Sequence, residues 1–120
     1  MGADDFHISA RRPAVDVTII VVSGEVDITN SLAFQQRLQE ELGEGMGVVV
    51  LDLDAANRVD TTGMSVLLTL SKRCRLDDRE LAIVCSGGWV RRALATTGLD
   101  ELIAVHATLE EALGREDPAR

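Results

Sequence analysis

Apolar residues occur along this chain in two patterns: short runs rich in β-branched residues, and longer segments in which they recur every three or four positions. The first pattern reads as strands and the second as helices. Phe6 to Ser9 is a short opening strand, and Arg12-Pro13 reads as the turn that follows it. "VDVTIIVVSGEV" is a second strand ended by Gly24, close enough to the first for the two to form an antiparallel hairpin at one side of a sheet. "TNSLAFQQRLQEELGEG" carries capping residues Thr29 and Asn30, sets Phe34, Leu38 and Leu42 four apart, and stops at Gly43, the pattern of an amphipathic helix.

Gly47 to Asp54, "GVVVLDLD", is a continuous apolar strand of the kind buried on both faces, which implies a parallel neighbour joined through a helical crossover. From Thr62 to Leu76 the residues Met64, Leu67, Leu68 and Cys74 form one stripe, broadened by Val66 and Leu70, while Thr69, Lys72, Arg73 and Arg75 face outward. Glu80 to Cys85 is the next buried strand. "GGWVRRALATTG" is a helix with Val90, Ala93 and Leu94 inward, and Leu102 to Val105 is an edge strand. Thr108 and Glu111 have capping-box spacing ahead of a last helix. The order ββαβαβαβα specifies an α/β fold, a mixed sheet with an antiparallel N-terminal strand and helices packed on it. Binding sites in such folds gather at the carboxyl ends of the parallel strands, here near Gly24 to Thr29, Asp54 to Gly63 and Cys85 to Gly88.

Composition narrows the picture. A length of 120 residues suits one domain, with a core over about 5–113 and a polar tail at 114–120. The chain is 46% hydrophobic with two Phe, one Trp and no Tyr, so the core is aliphatic. Twelve Lys and Arg against twenty Asp and Glu give a formal charge of -8, which repels nucleic-acid backbones. Neither a membrane-length apolar run nor a signal-peptide pattern is found, and Met1-Gly2 lacks the hydroxyl residue at position six of an acylation signal, so a cytoplasmic location is expected. Cys74 and Cys85 lack metal-ligand spacing, and no metal or cofactor site is expected. At opposite ends of one strand they should lie about 15 Å apart, too far for a disulfide.

The segment "ANRVDTTGMSVLLTL" poses a local question. Asp60 alone can cap the helix that follows, yet it is succeeded by two β-branched residues and a glycine, all mediocre in a first helical turn. Thr61 and Thr62 place hydroxyls where backbone amides favour an anion, a suitable seat for a phosphoryl group. Gly63 suggests a close approach to the backbone. Catalysis by a threonine nucleophile would need a base, and neither His7 nor His106 falls in a motif that brings it near Thr61, so an enzyme is not expected.

"VVSGEVDITNS", "VVVLDLDAANRVDTTGMSVLL" and "LAIVCSGGWVRRALATTGLDELIAVHATLEEAL" together resemble the STAS domain of bacterial anti-sigma-factor antagonists, from about Val15 to Leu113. That family's Gly-Glu-(Leu/Val)-Asp, Asp-(Ser/Thr)-Ser-Gly and late Gly-Leu appear as Gly24 to Asp27, Asp60 to Gly63, and Gly98-Leu99. The resemblance implies a STAS fold and a transcription regulator. Unphosphorylated, it would bind an anti-sigma factor that is a histidine-kinase-like ATPase and Ser/Thr kinase, so freeing the sigma factor. Phosphorylation at Thr61, with Thr62 the lesser candidate, would release it, and a metal-dependent phosphatase would reset it. It further implies a partner surface of Asp27, Asp60, Thr61, Thr62, Gly63 and Met64, in a monomer or weak homodimer.

Two departures stand out: acceptors in the family are more often serine, and Gly87-Gly88-Trp89 replaces its Pro-containing helix start. Trp89 is either packed against the sheet or an exposed interface anchor. An alternative is a STAS-type sensory module that binds a small ligand or another regulatory partner without phosphorylation.

Overall fold

A computed structural model describes residues 5–114. Met1-Gly2 and the tail from residue 115 onward lie outside the described residues. The elements are β1 (Phe6–Ala14), β2 (Val17–Val26), α1 (Ser31–Leu42), β3 (Val48–Val59), α2 (Thr61–Leu76), β4 (Glu80–Val84), α3 (Gly88–Thr96), α4 (Leu99–Leu102), β5 (Ala104–His106) and α5 (Leu109–Leu113). The strands form one sheet in the order β1-β2-β3-β4-β5. Only the β1–β2 pair is antiparallel, and the others are parallel. The mixed α/β architecture expected from the pattern is therefore present, with one extra helical turn, α4, before the last strand.

Alternation along the strands builds two unequal cores. On one face Ile20 and Val22 of β2, Val49, Leu51 and Leu53 of β3, and Leu81 and Ile83 of β4 meet Phe34 and Leu38 of α1, Leu67 and Leu70 of α2, and Val90 and Leu94 of α3. On the other, Val17, Ile19, Val50 and Val84 are covered by Leu109, Ala112 and Leu113 of α5. Phe6 and Phe34 meet edge to face with ring centroids 5.5 Å apart, a favourable aromatic geometry.

Several boundaries differ from expectation. The last strand is Ala104–His106, not Leu102 to Val105, because Leu102 closes the turn of α4. The hairpin reverses at Val15-Asp16, not at Arg12-Pro13. The ladder irregularity between Arg11 and Ala14 accommodates Pro13, which has no N–H to donate. Arg12 is held there by its guanidinium, which donates to the Glu41 carbonyl at 2.7 Å. Gly24 does not end β2. Its φ of 90° is accommodated within the strand, where a side chain would collide with the Asp5 carbonyl. Finally, β3 runs on to Val59, because its second half keeps pairing with β2 as far as Val26↔Val59 across two register shifts.

Asn30 occupies the N-cap position of α1, but its side chain does not cap the helix. Its Oδ1 accepts from the Asp27 amide at 2.9 Å and its Nδ2 donates to the Glu25 carbonyl at 3.0 Å, so it braces the preceding loop instead. The last helix meets half of its capping-box reading: Thr108 Oγ1 accepts from the Glu111 amide at 3.2 Å, while Glu111 Oε1 accepts from the amide of Ala107, not of Thr108, at 3.3 Å.

Candidate functional site

The length of β3 determines what the site looks like. Because Val59 pairs with Val26, the residues that follow the two strands emerge side by side, and the Asp60 amide donates to the Val26 carbonyl at 3.0 Å. Asp27 and Asp60 are thus brought together from loops more than thirty residues apart in sequence. Asp60 is the N-cap of α2: its Oδ1 accepts from the amides of Thr62 at 3.0 Å and Gly63 at 3.1 Å, and from the Thr62 hydroxyl at 2.6 Å. Partial burial pushes its carboxyl upward, but the hydrogen bonds from the Thr62 hydroxyl and the two amides outweigh this and hold it below the usual carboxylate range. Asp27 is also held low, chiefly by the Thr29 hydroxyl and amide, with a smaller contribution from the positive charge of Arg58.

The two threonines are not equivalent. The Thr62 hydroxyl is committed to Asp60. Thr61 is exposed, and no hydrogen bond among the described residues engages its hydroxyl, although its carbonyl accepts from Ser65 Oγ at 3.1 Å.

Gly63 has an internal explanation, which corrects the expectation that it leaves room for an approaching partner. It is buried, and a Cβ there would lie 2.5 Å from Val59 Cγ1 and 3.0 Å from Val26 Cγ1. The glycine lets α2 start directly on the ends of β2 and β3. Met64 is buried too, at 3% exposure, and borders a hollow.

That hollow is a groove of about 390 Å³ between Asp60, Thr61 and Met64 on one wall and Trp89, Arg92 and Thr96 on the other. A second depression of about 260 Å³, on the side of Ser65, Leu68 and Leu102, also borders Thr61. Trp89 is 41% exposed, and the Arg58 guanidinium lies over its ring, 5.7 Å from the centroid. It is thus half-exposed, lining the groove with a cation over its ring.

Several surface residues here were not legible in advance. Arg58 lies in the unforeseen half of β3, and Arg92 faces the groove from α3. Ile28 and Leu32 are 74% and 68% exposed beside Asp27, apolar side chains with no core to serve. The available signal was their type, isolated apolar residues among polar ones at a strand end.

The remaining candidates lie elsewhere. His7 is exposed on β1 and His106 ends β5, and neither borders the groove at Thr61. Cys74 and Cys85 are both buried and free, and burial pushes both thiols up. Among the described residues no group of His, Cys, Asp and Glu could hold a metal ion, and no helix is long and apolar enough to cross a membrane.

The family model described as "STAS domain" matches residues 10–112. The anti-sigma-F factor antagonist RsfB of Mycobacterium tuberculosis is 25% identical over 97 residues, which are 81% of this chain and 79% of that protein. The crystal structure of an anti-sigma factor antagonist from Mycobacterium paratuberculosis superposes with a TM-score of 0.81 at 24% identity, covering 91% of this chain and 92% of that one. The anti-sigma factor antagonist SpoIIAA in its unphosphorylated form gives a TM-score of 0.69 at 16% identity, covering 89% and 93%. The two structural likenesses establish the shared fold.

Proposed function

The chain belongs to the STAS domain family, and on that premise we propose that it is an anti-sigma-factor antagonist switched by phosphorylation of Thr61. Unphosphorylated, it binds a kinase-type anti-sigma factor of the histidine-kinase-like ATPase class through the surface around Asp27, Asp60 and Thr61, and so releases a sigma factor. The phosphorylated form lets go, and a metal-dependent phosphatase restores it. The protein works by binding in the cytoplasm and performs no catalysis of its own.

One observation carries this reading: of two adjacent threonines at the helix start, Thr62 has spent its hydroxyl on Asp60, while Thr61 is exposed and its hydroxyl has no partner among the described residues. A kinase can reach the second without breaking the cap. The added charge of about -1.5 to -2 then falls beside Asp60 and Asp27, changing what the surface accepts while the core is untouched. Exposed Ile28, Leu32 and Trp89 supply apolar contact area around the acidic centre.

The test is incubation with the cognate anti-sigma kinase and ATP, read by mass spectrometry and co-purification. One phosphothreonine at position 61 is expected, with Thr61→Ala remaining bound and Thr61→Glu failing to bind. Full modification of the Thr61→Ala protein would overturn the assignment.

A further inference from the structure

We propose that the groove between α2 and α3 receives the phosphoryl group of phosphorylated Thr61, with Arg92 as its principal ligand and Arg58 as a second cation at the rim. The inference rests on Thr61 being the acceptor and concerns what happens after modification. In the modification itself, Thr61 Oγ1 bonds to the γ-phosphorus of ATP. The bond from that phosphorus to the bridging oxygen breaks, ADP leaves with the electron pair, and the hydroxyl proton goes to a base of the kinase.

The placement of charge supports a receiving site. Arg92 lines the same hollow as Thr61; its carbonyl accepts from the Thr96 hydroxyl at 2.9 Å, but among the described residues its guanidinium takes part in no hydrogen bond or ion pair. Its neighbour Arg91 is committed to Asp100 at 3.3 Å, as Arg73 is to Asp77 at 3.0 Å and Arg37 to Glu41 at 3.2 Å. An uncommitted guanidinium facing a hydroxyl across a groove is a planar fork suited to phosphate oxygens.

Arg58 is held by weaker attractions, the face of Trp89 and the charge of Asp27, both of which a phosphoryl group can outcompete. Asp60 lines the groove and the charge of Asp27 acts on it from beside, and the two arginines offset these carboxylates. Without the arginines a dianion would meet the repulsion of the carboxylates with only the helix start to favour it. With them, the phosphoryl group can fold into the groove, occupy the part of it nearest Arg92, and draw Arg58 off Trp89.

The test needs no kinase. Phosphothreonine is installed at position 61 during translation, and its 31P shift is followed with pH in the folded protein. The second phosphate ionisation should lie about half a unit or more below its usual value near 6. It should move back up in Arg92→Gln and, less, in Arg58→Gln, while Arg91→Gln leaves it in place. Trp89 is the only tryptophan, so its emission should differ between bare and phosphorylated protein and should lose that difference in Arg58→Gln. A phosphate ionisation identical in wild type and Arg92→Gln overturns the proposal. Such a failure strikes the arginine site alone, whereas failure of the kinase to modify Thr61 strikes the acceptor reading.

Discussion

The Thr62 hydroxyl donates to the Asp60 carboxylate at 2.6 Å, and this bond separates the roles of two adjacent, chemically identical residues. Thr62 belongs to the cap and Thr61 to the surface. Replacing each hydroxyl by an isosteric methyl should therefore give different results. Thr62→Val leaves Asp60 short of a donor and should cost about 0.5–1.5 kcal/mol. Thr61→Val should change stability by less than about 0.5 kcal/mol. Urea denaturation of both variants checks this, and equal losses would contradict the division of roles.

Asp60 should also give stability a defined pH dependence. Its carboxyl is held low in the folded state, so the stabilisation it contributes is fully present above its unfolded value of about 3.9 and is lost as pH falls through the lower folded value. Asp60→Ala should therefore be less stable than wild type by about 1 kcal/mol at neutral pH. The gap should close progressively in acid below about pH 4. Denaturation midpoints of the two proteins across pH 2.5–7 measure it, and a constant gap would show that the charge of Asp60 plays no part.

Much of this arrangement could be read from sequence, for local reasons. Asp60 announces a cap because the apolar period begins immediately after it, and the buried strands announce themselves as unbroken β-branched runs. The features that escaped depend on partners distant in sequence. "AANRV" at 55–59 has weak strand propensity and is extended because β2 pairs with it. The reversal at Val15-Asp16 contains neither glycine nor proline, so the nearby Arg12-Pro13 was the stronger local signal. Arg58 and Arg92 gain meaning only when β3 and α3 set them around one groove. Asp60 and Thr61 were visible as chemistry, and the cations facing them were not.

Gly63 provides a case in which propensity and packing give opposite signs. Alanine is the better helix former by about 1 kcal/mol, so an exposed Gly→Ala change in a first turn would stabilise. Here the new methyl would sit 2.5 Å from Val59 Cγ1 and 3.0 Å from Val26 Cγ1, and α2 would have to lift off the strand ends. Gly63→Ala should destabilise by about 1–3 kcal/mol. Combined with Val59→Ala it should cost less than the sum of the two single changes, because the second vacates the space the first needs. A stabilised Gly63→Ala protein, or strict additivity, would contradict the packing.

Arg79, at the opposite end of the sheet from Thr61, is the least expected buried group, only 5% exposed between α2 and β4. Its Nη1 donates to the carbonyls of Leu42 at 2.9 Å and Gly43 at 3.2 Å, and its Nη2 to Thr18 Oγ1 at 3.2 Å, while its Nε is buried without a hydrogen bond. The cation thus closes the C-terminal end of α1, where backbone carbonyls have no helical partners and the helix dipole favours positive charge. Arg79→Leu should take a donor from the Gly43 carbonyl and the Thr18 hydroxyl, leave the Leu42 carbonyl only a long 3.5 Å bond from Arg12, and cost about 2–3 kcal/mol. Arg79→Lys should recover only part of that, because a compact ammonium cannot span acceptors on α1 and β2 as the guanidinium fork does. Hydrogen exchange should show the loss first at the amides of the last turn of α1. A leucine variant as stable as wild type would mean that the buried cation does not hold the helix end in place.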